Sequence, residues 1–326
     1  MSHSALLLDP DLTLRLARVP DRAPRAGEVL VDVAWAGVCG SDLHVLETGS
    51  WVTDWPAILG HEICGRVLKC PGGEFAPGQP LVVDSRVPCG RCAGCARAAN
   101  LCQNLAWLGE CRPGGYQQRV VVPVSSVVPT PRELPLDVAV LAEPLAVAQH
   151  AVGRSERASG GDPGGCLVLG GGPIGLLVAL LLADAGAVVN VVEPDSCRRQ
   201  LAAALGATVL PAVPPAARWR TVIDAAGYAT SLPDALAAVE RGGVVTMVAL
   251  PHAPVELVPA DLVERQVVVL GSLGFDAELP KAVEVLAADP ARFRPLISEA
   301  LDLDEAPARL ARWRIDPPAG KVVIRP

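Results

Sequence analysis

The chain is short of positive charge. Its 326 residues carry 28 Lys and Arg against 35 Asp and Glu, a net charge of −7. A surface of that sign does not neutralise phosphates, so nucleic acid is excluded as the main partner. Lysine is almost absent, with 3 against 25 arginines, an imbalance from which no function follows. No run of like charges marks a tail, and no internal repeat or low-complexity linker interrupts the chain. Residues 1–16 lack the basic stretch, apolar core and small-residue cleavage site of a secretory leader. One stretch alone, Cys166 to Ala183, runs for 18 residues without a charge. Four glycines and Pro173 early in it read as a buried strand, turn and helix, so no membrane partner is expected.

Half the residues are apolar, and the length suits two domains better than one core. From Glu28 to about Pro129, Val-rich runs (28–38 and 119–128) alternate with Gly/Pro clusters (71–80 and 112–116), the pattern of a β-rich domain with long loops. A helical pattern starts near Pro135. From Cys166, strands at 166–170, 188–193, 221–227, 242–250 and 267–274 alternate with helices at 173–185, 195–205 and 231–241. Such alternation predicts an α/β unit with a doubly wound parallel sheet. A helix is expected at about 280–289 and a last strand at 321–326, both returning to the first domain. The expected division is 1–145 with 281–326, and 146–280.

Ten cysteines in a chain of this size fit metal sites in a reducing cytoplasm better than a secreted disulfide framework. Cys39 lies in Val-Cys-Gly-Ser-Asp-Leu-His (38–44), and His61 and Glu62 lie in Gly-His-Glu-Ile-Cys-Gly (60–65). Thiolate, imidazole and carboxylate together form the donor set of a catalytic zinc with one position open. Cys89, Cys92 and Cys95 are spaced by three, and Cys102 follows in the same loop. Four cysteines in one loop can enclose a tetrahedral Zn²⁺ that orders it.

Gly170, Gly172 and Gly175, with Pro173 and Ile174 between them, follow a predicted strand and open a predicted helix. In that context the first glycine makes the turn, the second admits a pyrophosphate and the third lets helix and sheet pack. Glu193 ends the next strand, where a carboxylate accepts the adenosine ribose hydroxyls and repels a 2′-phosphate, favouring NAD over NADP. Arg198, with Arg199, is placed to fold over the adenine or to take a phosphate.

Gly-His-Glu-x-x-Gly about twenty residues after Cys-Gly-Ser-Asp-x-His resembles the zinc-dependent medium-chain alcohol and polyol dehydrogenases, over nearly the whole chain. The resemblance implies a GroES-like catalytic domain beside a Rossmann NAD-binding domain. It also implies that Cys39 and His61 hold a catalytic zinc, with Glu62 a ligand or a near neighbour that exchanges with water. Ala-Glu-Pro-Leu-Ala-Val-Ala (142–148) is similar to the turn of the sorbitol, glucose and threonine dehydrogenase branch, which implies Glu143 as a further ligand. Ser41 and His44 would relay a proton, and Asp42 would hold the free ring nitrogen of His61. The four-cysteine lobe is one residue shorter than the family's, which leaves Cys111 as a spare candidate beside Cys102. The family usually places a helix between residues 207 and 220, and here it is expected to be truncated or lost.

The expected activity is hydride transfer between a secondary alcohol (polyol, sugar, cyclitol or hydroxy amino acid) and NAD, by a homodimer or homotetramer paired through the 267–274 edge strand. Trp51 and Trp55 are read either as stacking on a sugar ring or as core or surface packing. The alternatives are a simple alcohol or aldehyde dehydrogenase, a member that binds NAD without turnover, and a zinc-free quinone or enoyl reductase, which would need none of these metal donors.

Overall fold

The computed structural model describes every residue except 1, 163, 216, 217, 252 and 253. The chain divides into two compact units, Met1–Glu143 with Leu279–Pro326, and Pro144–Glu278.

The first unit is built on a seven-stranded sheet. Its order is Ile297–Asp302, Lys321–Arg325, Glu28–Gly37, Glu62–Lys69, Pro80–Val83 and Val127–Pro129, with Arg119–Pro123 also paired to Glu28–Gly37. The expected strand at 119–128 is two strands, separated by the 3₁₀ turn Val124–Ser126. Alternate residues Val29, Val31 and Val33 turn into a core shared with Leu6, Leu59, Ile63, Val83 and Tyr116. One register decides the chemistry. Gly37 pairs with Glu62 on one side and Val323 on the other, so the last strand and the Glu62 strand flank the end of the central one. A hairpin that the sequence pattern did not predict, Ser2–Leu8 with Leu14–Pro20, joins this unit where the Leu6 N–H donates to the Tyr116 carbonyl at 2.8 Å.

The second unit is a six-stranded, wholly parallel sheet in the order Thr208–Leu210, Val188–Val192, Gly165–Leu169, Trp219–Asp224, Val239–Met247 and Val268–Gly271. Numbered within the unit this is 3-2-1-4-5-6, the Rossmann order, which reverses beside the strand that ends at Leu169. Helices Pro173–Asp184, Ser196–Ala204 and Ser231–Ala238 alternate with the strands. The last of these stops three residues earlier than expected. Val239 pairs with Trp219 and starts the strand instead, where a β-branched side chain packs better. Between 207 and 220 the described residues form no helix. The short strand Thr208–Leu210 occupies the start of this segment and seals the sheet edge.

Candidate metal centre and dinucleotide site

Cys39 stands at the N-cap of the helix Gly40–Thr48, and His61 and Glu62 enter the strand Glu62–Lys69. Their ligand atoms lie within 4.8 Å of one another. Three local devices bring them there. Asp42, 2% exposed, accepts the Cys39 N–H at 2.9 Å and the Gly60 N–H at 3.2 Å, tying the helix to the turn before His61. Its other contacts are the Tyr116 hydroxyl, which donates at 3.0 Å, and the His61 Nδ1, at 3.6 Å. Gly60 is left-handed at φ +91°, and a Cβ there would stand 2.5 Å from the Tyr116 ring. A Cβ on Gly37 would stand 1.9 Å from Glu62 Oε2. Only glycine leaves that space.

The site's charges balance in pairs. Burial opposes ionisation of Asp42, but the His61 ring, the Cys39 N–H and the Tyr116 hydroxyl hold its carboxyl below the usual range. Burial likewise opposes a charged His61, and Asp42 with Cys39 pulls it well above the ordinary value. Glu62, 1% exposed, accepts from Lys321 Nζ at 2.5 Å, and Lys321 also donates to the Val38 carbonyl at 3.1 Å. Lys321 was not foreseen from the sequence. Glu62 Oε2 remains a buried oxygen with no protein partner. A thiolate, an imidazole and an orphaned carboxylate oxygen within reach of one point suit a borderline-soft divalent ion such as zinc.

Other expected residues sit less centrally. Glu143 is buried and is not among the three donors whose atoms lie within 4.8 Å of one another. Burial pushes it up to about 7, with Glu62 adding and His61 and Lys321 opposing. Ser41 Oγ lies 3.5 Å from His61 Nε2, and the His44 ring packs at 4.9 Å against Trp51.

In the second cluster the sulfurs of Cys89, Cys92, Cys95 and Cys102 converge. Sulfur separations are 3.6 Å (92–95), 3.9 Å (89–95) and 3.9 Å (92–102). Four sulfurs about 2.3 Å from a tetrahedral zinc would be about 3.8 Å apart, so the cage fits the ion. Backbone N–H groups of Gln103 and Cys95 point at the Cys92 sulfur and bring its thiol down to about 6. Cys111 takes no part; its thiol faces the Trp51 carbonyl at 3.9 Å. The shortened loop therefore closes on Cys102.

Gly170 to Gly175 join the strand Gly165–Leu169 to the helix Pro173–Asp184. Gly170 is left-handed at φ +97°; a Cβ on Gly175 would be 2.0 Å from the Gly170 carbonyl oxygen; a Cβ on Gly172 would meet nothing within 4 Å. These are the turn, packing and ligand-approach roles of a pyrophosphate loop. Pro173 and Ile174 open the helix, whose N-terminal N–H groups favour an anion. Glu193, 4% exposed, accepts the Gly171 N–H at 2.8 Å and the Asp195 N–H at 2.9 Å, and each oxygen keeps a lone pair. It lines a cavity of about 520 Å³ with Gly170, Gly172, Arg198 and Tyr228. The residues fit a dinucleotide.

Residues 25–132 match the family described as alcohol dehydrogenase GroES-like domain, and residues 173–288 match zinc-binding dehydrogenase. The chain is 32% identical to 2-dehydro-3-deoxy-L-galactonate 5-dehydrogenase of Pseudoalteromonas atlantica, over 93% of this chain and 92% of the relative. It is also 32% identical to D-altritol 5-dehydrogenase of Agrobacterium fabrum, over 94% and 95%. A Sinorhizobium meliloti protein provisionally termed a zinc-binding dehydrogenase, solved with NADP, superposes with a TM-score of 0.91 at 30% identity over 100% of both chains. With both family matches falling on the units that carry these sites, the chain belongs to the zinc-dependent medium-chain alcohol and polyol dehydrogenases, oxidoreductases that use zinc and a nicotinamide dinucleotide.

Proposed function

We propose that this chain oxidises a secondary alcohol in a polar, polyol-like substrate at the Cys39–His61–Glu62 centre, with NAD as acceptor. The observation that carries the reading is the convergence of those three donors around an orphaned, lysine-backed carboxylate. When bound, zinc supplies Lewis acidity at the alcohol oxygen and the dinucleotide accepts hydride.

The protein's own residues do the rest. Asp42 fixes the His61 ring through Nδ1, leaving Nε2 for the ion. Ser41, beside Nε2, takes the alcohol proton, and His44, three residues on along the same helix face, passes it towards solvent. Lys321 holds Glu62 in place as its buried ion-pair partner. Glu143, buried and acting electrostatically on His61, Glu62 and Lys321, is a further candidate ligand. The Cys89, Cys92, Cys95 and Cys102 cage would hold a second zinc, which would order its loop. Glu193 supports NAD in preference to NADP, since a 2′-phosphate beside a buried carboxylate is repelled, and Arg198 covers the adenine end of the cavity.

The substrates named for relatives, a 2-dehydro-3-deoxy sugar acid, altritol, idonate and threonine, all carry a secondary alcohol in a polar chain. A small-molecule alcohol of that kind is the partner here. No helix among the described residues is long and apolar enough to cross a membrane, and ten free cysteines suit a reducing cytoplasm. The strand Val268–Gly271 ends its sheet with Val268 and Val269 exposed, which supports pairing of two copies edge to edge into a dimer or tetramer.

The test combines elemental analysis with NADH formation on a panel of polyols, cyclitols and amino alcohols. About two zinc per chain are expected in the wild type and about one in Cys39→Ser, with turnover lost and the fold retained. Cys39→Ser that turns over at the wild-type rate sinks the assignment.

A further inference from the structure

We infer that the Tyr116 hydroxyl is a positioning group for the catalytic zinc, setting that centre's affinity by bridging Asp42, which holds Cys39 and His61, to Gly37, which pairs with Glu62. The inference rests on the reading of Cys39, His61 and Glu62 as the reaction centre.

Tyr116 is wholly buried, and its backbone is held on both sides. Its N–H donates to the Leu59 carbonyl at 3.0 Å, and its carbonyl accepts the Leu6 N–H at 2.8 Å. Its ring lies against Gly60, the residue before His61, so closely that a Cβ there would stand 2.5 Å away. Its hydroxyl oxygen is 3.0 Å from Asp42 Oδ2 and 3.3 Å from the Gly37 carbonyl oxygen. A hydroxyl has one proton to give, and a carboxylate and a carbonyl only accept. That proton is therefore shared between two acceptors, each of which serves a different metal donor. Asp42 accepts the Cys39 N–H and faces His61 Nδ1. Gly37 is the register partner of Glu62.

Packing accounts for the ring but not for the hydroxyl, since a phenylalanine would fill the same space. Without the hydroxyl, the Asp42 and Gly37 oxygens would meet an apolar ring edge with no proton between them, and two buried acceptors left so move apart. Zinc sharpens the demand, because the ion needs its donors about 2.0–2.3 Å from one point. Slack between Asp42 and Gly37 becomes slack between the Cys39–His61 pair and Glu62. An opposing effect has the other sign. A carboxylate with one donor fewer accepts more strongly from His61 and makes its imidazole a better ligand for the cation. The Cys39 and Gly60 N–H groups stay on Asp42 and damp that change, so the geometric loss is the larger of the two.

Zinc competition against a chromophoric chelator tests this independently of turnover, with Cys39→Ser identifying which ion belongs to which site. In Tyr116→Phe, which keeps the ring against Gly60, the Cys39 centre should bind zinc about tenfold more weakly, the scale of losing an outer partner of a metal ligand. The Cys89, Cys92, Cys95 and Cys102 cage should keep its wild-type affinity. A Cys39 centre that binds zinc within about twofold of wild type, or more tightly, overturns the inference. So does an equal loss at both sites, the mark of general destabilisation. The chain has two tyrosines, so 3-fluorotyrosine labelling gives a second reading in the unmutated protein, with Tyr228→Phe assigning the signals. The Tyr116 fluorine resonance should shift when zinc fills the Cys39 centre and stay in place when it fills the cage alone; a resonance unmoved by both also overturns the inference. NADH formation is read in parallel. The expected zinc affinities without NADH from any alcohol would count against the reaction-centre reading while upholding the role of Tyr116.

Discussion

At the residue scale, the centre depends on a partner that is remote in sequence. Lys321 lies 259 residues from Glu62, yet the sheet order places its strand one step from Gly37, across from Glu62. The pair is buried, with 1% and 3% exposure. Removing one member of such a pair strands the other charge, which costs about 3–5 kcal/mol. Lys321→Met is therefore expected to lose about that much in urea denaturation of the holoprotein. Adding Glu62→Gln to it should recover part of the loss, a coupling that a double-mutant cycle reads directly. A double variant whose loss equals the sum of the two single losses would mean that the two groups do not support each other. Cys39, His61 and Glu62 were legible because each sits in a short motif whose residue types match a donor set. Lys321 was not, because a terminal Val-rich strand gives no sign of which strand it will pair with. The one signal available was a rare lysine opening a Val-rich strand. Tyr116 was hidden in the same way: Arg-Pro-Gly-Gly-Tyr reads as turn punctuation, and its contact with Asp42 spans 74 residues.

At the element scale, legibility follows how far each element's signal is local. The Gly170–Gly175 turn, the helix after it and the alternation through the second unit were readable from periodicity and glycine spacing. The hairpin Ser2–Leu8 with Leu14–Pro20 and the strand Thr208–Leu210 were not, since each is specified mainly by its partner. Glu143 was readable as an acid opening a helix, but its distance from the donor cluster depends on packing that no motif encodes. The four-cysteine lobe is the clearest case of an element defined by its ligand. Residues 88–104 have half-exposed sulfurs, no strand and one three-residue 3₁₀ turn, Ala99–Leu101. Little apolar burial holds such a loop, so its order comes from the ion. Cys102→Ser should lower zinc from about two to about one per chain and make the lobe the first site of limited proteolysis. Activity at the Cys39 centre should survive in part. A variant that retains both ions would return the fourth ligand position to Cys111.

At the scale of the whole molecule, the two proposed ligands fall to different units. Metal donors lie in Met1–Glu143 with Leu279–Pro326, and the pyrophosphate loop and Glu193 lie in Pro144–Glu278. Anything that binds only the folded state adds RT ln(1 + [L]/Kd), about 2.7 kcal/mol at one hundred times Kd, to whatever opening breaks its site. Hydrogen exchange read by peptide mass spectrometry separates the units, because protection is local when opening is local. Zinc removal by a strong chelator should deprotect the 88–104 lobe first and then the Glu28–Gly37 and Glu62–Lys69 strands, whose ends hold the catalytic donors. It should leave the Gly165–Leu169 and Trp219–Asp224 strands close to their holo rates. Saturating NAD should do the reverse, slowing exchange in those parallel strands by up to about 100-fold at one hundred times Kd. The six tryptophans give an independent optical reading, since Trp219 alone belongs to the second unit, where it is buried and donates to Asn190 Oδ1 at 2.9 Å. In Trp219→Phe the remaining fluorescence follows the first unit, so its unfolding midpoint should respond strongly to chelator. Chelator and NAD that change exchange equally throughout the chain would show one cooperative body. NAD that leaves residues 165–224 unprotected would remove the dinucleotide from the cavity lined by Gly172 and Glu193.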